Sequence, residues 1–142
     1  MIKNLTIGSD VEVFLQDSET KKNITAEGII KGTKDRPFIV EEPFRVTSLD
    51  CVAAEYCINP VTSKEQWLQE HKFMLDYINT LAAERGLVID SFPYREFEED
   101  QLQTESAVTF GCSSDFNMRL KCINESPVPD GGNRSIGLHL HL

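Results

Sequence analysis

Two carboxylates, Asp10 and Glu12, alternate with apolar residues in the segment Gly8-Ser9-Asp10-Val11-Glu12-Val13-Phe14-Leu15. In an extended strand, side chains alternate between faces, so both acids are expected on one face. Neighbouring acids on an apolar strand repel each other and resist loss of water unless a cation lies between them. The pattern therefore indicates either a divalent-cation site with oxygen ligands or an ordinary strand whose polar face meets solvent.

A single acid, Glu55, lies inside the apolar segment 52–58, next to the small residues Ala53 and Cys57 on its face. A buried carboxylate without a partner is costly, so we expect Glu55 to bind a metal ion or to pair with an arginine or lysine. Asp50 precedes Glu55 by an odd number of positions. In a continuous strand this spacing points Asp50 to the opposite face. We therefore predict that Asp50 is a loop residue or one that supports the metal ligands without binding the ion.

Two of the three histidines, His139 and His141, alternate with leucines in the last six residues. The alternation predicts a buried strand with both imidazoles on one face. A zinc hydrolase usually has more histidine ligands, and the remaining one, His71, falls on a predicted helix. Acidic oxygens combined with one imidazole suit magnesium or manganese better.

Strands around one long helix must position these residues. The segment 52–58 is apolar on both faces, which is typical of a central strand. An amphipathic helix is predicted from about Lys64 to Arg85, with a capping box at Ser63 and Gln66 and a C-cap at Gly86. Further strands are expected at 4–7, 11–16, 24–26, 38–40, 44–46 and 87–89, a short acidic helix or turn at 96–103, and loops at 17–23, 32–34 and 124–134. The few βαβ alternations predict an α+β fold with a mostly antiparallel sheet.

The composition limits the classes of partner. The chain has 142 residues, 40% of them hydrophobic, which fits one domain with its own core. A formal charge of -9 argues against binding to a nucleic-acid backbone. No stretch approaches the roughly 20 apolar residues needed to span a bilayer, and the N-terminus lacks the pattern of a secretory signal. We therefore expect no nucleic-acid or membrane partner and a cytoplasmic location.

Five ordered motifs across nearly the whole chain resemble the phage-type carboxylate-amine ligases, or amidoligases, of the glutamine synthetase and glutamate-cysteine ligase superfamily. They are the segment 8–15, Lys31-Gly32-Thr33-Lys34, Asp50 with Glu55, Phe110-Gly111-Cys112 with Asp115-Phe116-Asn117, and Arg134 to His141. The resemblance implies the N-terminal part of a glutamine synthetase-like catalytic fold. The sequence departs from the family pattern where proline, asparagine and glycine are usual, at Val11, Cys51 and Leu138.

The resemblance also implies roles for individual residues. The expected metal ligands, for magnesium or manganese, are Asp10, Glu12, Glu55 and His139, with Glu55 and His139 also catalytic. The residues expected near the nucleotide are Lys34, Asn117 and His141. His141 is expected to support the metal ligands without binding the ion itself, and Asn117 to shape the site together with Asp115. Our hypothesis is that Glu12 and Glu55 share one ion, while Asp10 and His139 contribute to another.

The family chemistry joins a carboxylate to an amine at the expense of ATP. The terminal phosphoryl group passes to the carboxylate, giving an acyl phosphate and ADP, and an amine then displaces phosphate to leave an amide. The expected substrates are small-molecule or peptide carboxylates and amines. The resemblance does not specify which ones.

The resemblance covers only the N-terminal half of the family's fold. We therefore expect an incomplete domain over 1–142, with weak or no ligase activity on its own and an exposed sheet edge. The chain would then be the N-terminal part of a longer protein, a split-gene product that a second polypeptide or self-association completes, or a relic that folds without catalysing. Two alternatives stay open: a non-catalytic phage assembly or binding protein that keeps the fold, and a metal-dependent hydrolase. A phage-encoded protein would act in the host cytoplasm.

Overall fold

The computed structural model describes residues 5–109, 116–125 and 131–142. In these ranges the chain is α+β, with one α-helix and a mostly antiparallel sheet, as predicted. The elements are β1 (Gly8–Asp17), β2 (Asn23–Ile24), β3 (Gly32–Thr33), β4 (Arg36–Glu41), β5 (Arg45–Asp50), β6 (Ala53–Cys57), α1 (Lys64–Ala83), β7 (Leu87–Asp90), β8 (Tyr94–Glu96), β9 (Phe116–Asn117), β10 (Cys122–Ile123), β11 (Asn133–Ser135) and β12 (Leu138–His141). Short 3-10 turns lie at Glu99–Gln101 and Ser106–Val108.

β1 is the strand around which the main sheet is arranged. Its first half lies between β12 and β6, and β6 continues to β5, with β3 and β4 beyond. Its second half pairs with β2 and β7. Gly8 and Ser9, which fall between the predicted strands at 4–7 and 11–16, both belong to β1, and Ser9 is buried with its hydroxyl 3.3 Å from Nε2 of His71 on α1.

α1 packs on one face of this sheet and agrees closely with the predicted helix. The Ser63 hydroxyl accepts a hydrogen bond from the backbone N–H of Gln66, as in a capping box, but the Gln66 side chain accepts from Thr62 instead of Ser63. Gly86 follows the helix with a φ of 70°. The buried side chains Met74, Ile78 and Ala82 belong to the main core together with Val13, Leu15, Ala54 and Tyr56.

A second, smaller core lies at Phe14, whose side chain alternates with those of Val13 and Leu15. The Phe14 ring meets that of Phe97 edge-on at 5.2 Å, and both side chains are buried. Arg134 is also buried, and its guanidinium donates two hydrogen bonds, of 3.2 and 2.8 Å, to the carbonyl of Ala107. The second core therefore supports the face of β1 that carries the acids.

Several other predictions need correction. The predicted loop at 32–34 contains β3, and the predicted loop at 124–134 ends in β11, while 126–130 lie outside the described residues. β12 is a strand, as predicted, but it is exposed rather than buried, with Leu138 49% and Leu140 58% accessible. Within the described ranges β12 pairs only with β1, so its other edge is open.

Gly32 offers a test of how β3 is held. Its φ is 92°, and a Cβ there would lie 2.4 Å from both the Phe38 nitrogen and the Thr47 carbonyl oxygen. Gly28 has a similar φ of 71° but open space around it. We expect Gly28→Ala to cost about 1 kcal/mol through backbone strain alone, and Gly32→Ala to cost about 3 kcal/mol or more in the free energy of unfolding. Urea titration of both variants measures the difference; equal losses would exclude the close approach of β3 to β4 and β5.

Candidate functional site

The strand registers bring the predicted metal ligands to one face of the sheet. Glu12 on β1 lies directly opposite Glu55 on β6. Asp10 lies opposite His139 on β12 and, on its other side, opposite Cys57 on β6. Because directly paired residues point to the same side of an antiparallel sheet, all four predicted ligands share the face that is turned away from α1.

Asp50 joins this face, contrary to the prediction that it points the other way. β5 and β6 form a hairpin through the two-residue turn Cys51–Val52, and Cys51 adopts a φ of 54°. The hairpin pairs Asp50 with Ala53 and Ser48 with Glu55. Asp50 and Glu55 therefore lie on the same face of neighbouring strands, which a count along one strand does not show.

Glu12, Asp50 and Glu55 form a three-carboxylate cluster, in which one oxygen of each residue lies within 4.8 Å of one oxygen of each of the other two. Asp50 and Glu55 are each 7% exposed, whereas Glu12 is half-buried, so two of the three carboxylates are shielded from water. Ser48 donates a hydrogen bond of 2.8 Å to Oε2 of Glu55. Oxygen-only, anionic ligands fit a hard divalent cation such as magnesium or manganese.

Lys34 reaches the same cluster from the loop after β3. Its Nζ lies 2.6 Å from Oδ2 of Asp50 and 3.7 Å from Oε1 of Glu55. The ion pair that the sequence left open for Glu55 is therefore present. One lysine compensates only part of the charge of three carboxylates.

Glu12 shows the electrostatic consequence of this crowding. The pKa of Glu12 is raised to about 7. The main cause is burial, followed by a hydrogen bond with Asp50 and by repulsion from Asp50 and Glu55. The Gly137 N–H donates a hydrogen bond of 2.8 Å to Oε2 of Glu12 and partly offsets this rise in pKa. Near neutral pH a proton on Glu12 thus relieves the repulsion, and a bound cation would take over that role.

The histidines lie at the edge of the acidic face. Nε2 of His141 is 2.9 Å from Oδ2 of Asp10. His139 is opposite Asp10 in the strand register, yet the imidazole in contact with that carboxylate belongs to His141. On the far side of Asp10, burial and the Asp10 carboxylate raise the pKa of the Cys57 thiol to about 12.

Asn117 is placed differently from the other predicted site residues. It lies on β9, in a small hairpin with β10 that forms its own two-stranded sheet. Its side-chain NH₂ group donates a hydrogen bond to Asn124, and its Oδ1 accepts hydrogen bonds from the backbone N–H groups of Arg119 and Leu120. Its described hydrogen bonds are therefore within the hairpin. The structure does not bring Asn117 to the carboxylate cluster, and Asp115 falls outside the described residues.

A cavity of about 330 Å³ opens beside Glu12. Among the described residues that line it, Glu12 is the one carboxylate. Most of the remaining lining side chains are apolar and come from β1, α1 and the segment leading into β12: Val11, Val13, Leu75, Ile136 and Leu138. Glu12 thus connects the acidic cluster to an apolar cavity.

Sequence reasoning missed two members of the site, Asp50 and Ser48. A tight hairpin turn predicted at Asp50-Cys51-Val52-Ala53 would have placed both residues beside Glu55. Cys51 and Val52 are, however, unusual turn residues. Lys34 was expected at a nucleotide phosphate, and the structure adds its contact with the acids.

Comparison with known proteins yields no family model that matches this chain and no significant match to a curated protein. The described helix is not long and apolar enough to cross a bilayer.

Glu12→Gln is expected to stabilise the metal-free protein. Because the folded-state pKa is about 7 against an ordinary 4.5, the contribution of Glu12 to stability is complete below pH 4.5 and is lost as the pH rises through 7. The full effect would be about 3 kcal/mol, which the partial exposure of Glu12 reduces to about 1–2 kcal/mol.

The measurement is the free energy of unfolding of both proteins between pH 4 and 8. The gain of Glu12→Gln over wild type should grow with pH across this range. Glu19→Gln, in the exposed turn after β1, serves as the control and should follow wild type. A gain from Glu12→Gln that is absent at pH 8 would contradict the crowding of the three carboxylates.

Proposed function

We propose that this chain is the N-terminal portion of an ATP- and divalent-metal-dependent ligase of the amidoligase type. Its reaction would join a carboxylate to an amine through an acyl phosphate. The observation that carries the proposal is the three-carboxylate cluster of Glu12, Asp50 and Glu55, formed by two of the five ordered motifs. A third motif supplies Lys34 at the same cluster.

The donor set supports magnesium or manganese as the resident ion. Glu12, Asp50 and Glu55 would hold it, and the ion would supply neutralisation of charge on phosphate oxygens. Asp10 lies on the same face, on the other side of Glu12 from the second core, with the imidazole of His141 against its carboxylate. Asp10 and His139 are directly paired in the strand register and are the proposed contributors to a second ion.

The protein's own residues would act mainly by positioning. Ser48 donates a hydrogen bond to Glu55, and the Gly137 N–H donates one to Glu12. These hydrogen bonds limit the rotation of the two carboxylates. Lys34 is proposed to bind a nucleotide phosphate, as a lysine in a glycine-containing loop is suited to do. The cavity beside Glu12 is a proposed position for the apolar part of a substrate.

A second candidate is a non-catalytic assembly or binding protein that has kept the fold. One observation favours it: the outer edge of β12 is open in the described residues, and Leu138 and Leu140 on this strand are exposed. Open apolar edges pair readily with another strand. A metal-dependent hydrolase has less support, because the imidazole of His141 contacts Asp10 and not the carboxylate cluster.

Metal binding tests the proposed site directly. We expect Mn²⁺ to bind the purified protein, and Glu12→Ala or Glu55→Ala to weaken this affinity at least about tenfold, because each removes one charged ligand. Glu19→Ala, which removes an acid from an exposed turn, should leave the affinity unchanged. Electron paramagnetic resonance of free Mn²⁺ measures all four proteins, and unchanged affinity in Glu12→Ala and Glu55→Ala would exclude the assignment.

Release of ADP tests the proposed reaction. The protein is incubated with ATP, magnesium and pools of amino acids, peptides and amines, and ADP is followed with and without the amine pool. Because the domain is expected to be incomplete, a ligase should release ADP only slowly even when both substrates are present, but still faster than without the amine pool. Metal binding without any substrate-dependent ADP release would favour the non-catalytic candidate.

A further inference from the structure

The position of Lys34 indicates how the proposed metal site is controlled. Its ammonium lies 2.6 Å from Asp50 and 3.7 Å from Glu55, two of the three carboxylates that would hold the ion. Its side chain is 31% exposed, whereas those of Asp50 and Glu55 are 8% and 9% exposed. The ammonium of a partly exposed lysine thus contacts two shielded carboxylates.

We propose that Lys34 is a tethered cation that competes with the metal ion for Asp50 and Glu55, so that metal binding requires the lysine to withdraw. This inference rests on the proposed function, because it assumes that the cluster binds a divalent ion. Two cations held by the same oxygen atoms would repel each other strongly at these distances. An ion seated among the three carboxylates would therefore break the Lys34–Asp50 pair.

The local backbone allows such a withdrawal. Lys34 follows the two-residue strand β3 directly and precedes β4, so it is held by a short turn rather than by a long strand. The glycine conformation at Gly32 anchors β3, while the long lysine side chain retains its own rotatable bonds. A lysine released from Asp50 stays beside the site, where a nucleotide phosphate would find an available positive charge.

Substitution of Lys34 gives the first test, with Lys31 as the matched control. Lys31 lies three residues earlier and carries the same charge, but its ammonium stacks on the Phe38 ring at 5.0 Å. We expect Lys34→Met to bind Mn²⁺ about tenfold more tightly than wild type, because a competing cation has been removed. Lys31→Met should change the affinity much less, and equal affinity in Lys34→Met and wild type would overturn the inference.

The wild-type protein gives a second test that does not depend on folding of a variant. Limited acetylation with acetic anhydride, followed by mass spectrometry, compares the reactivity of Lys34 and Lys31 in one sample. Saturating Mn²⁺ should raise acetylation of Lys34 several-fold, because the released ammonium is no longer paired with Asp50, and should leave Lys31 unchanged. Equal labelling of Lys34 with and without bound Mn²⁺ would overturn the inference.

These results separate this inference from the proposed function. Failure of Mn²⁺ to bind both wild type and Lys34→Met would reject the metal site itself. Binding to wild type that depends on Glu12 and Glu55, but not on Lys34, would keep the metal site and reject only the competition.

Discussion

The alternation of side chains along β1 is the constraint on which the rest of the molecule depends. Val13 and Leu15 are buried against α1, and this packing decides which face of the strand is apolar. The acids at positions 10 and 12 are thereby committed to the opposite face. Because a register slip of one residue would exchange the two faces, the hydrophobic packing of α1 also fixes the register that places Glu12 opposite Glu55. The apolar packing on one face of β1 thus fixes the positions of the acids on the other face.

This arrangement concentrates negative charge where water is scarce. Three carboxylates lie close together with one lysine. Burial and the neighbouring carboxylates raise the pKa of Glu12 to about 7. A strained electrostatic site of this kind costs folding stability, and such costs are typical of functional sites rather than of ordinary surface. Lys34 and the proton on Glu12 are two ways of offsetting one charge imbalance. A divalent ion, as proposed, would be a third.

The second core packs against the end of the acidic face that lies beyond Glu12. Phe14 and Phe97 close the sheet beyond Glu12, and buried Arg134 joins the Ala107 carbonyl to the Cys51 sulfur at the hairpin turn. That turn orients Asp50. At the other end, the acidic face runs to β12, where the exposed Leu138 and Leu140 mark an edge in the described residues. One end of the site is therefore well supported, and the other is open to a further strand.

The sequence by itself determined the features that depend on local periodicity. These are the α1 helix with its Ser63 cap, the shared face of Asp10 and Glu12, the shared face of the two histidines, and the isolation of Glu55 in an apolar strand. The roles drawn from the family resemblance stay predictions. Only the tertiary structure decided that Asp50 joins Glu55, that His141 rather than His139 contacts Asp10, and that β12 is exposed. The reason is physical: periodicity within one strand fixes faces, whereas hairpin turns, side-chain reach between strands and burial depend on neighbours that are distant in sequence.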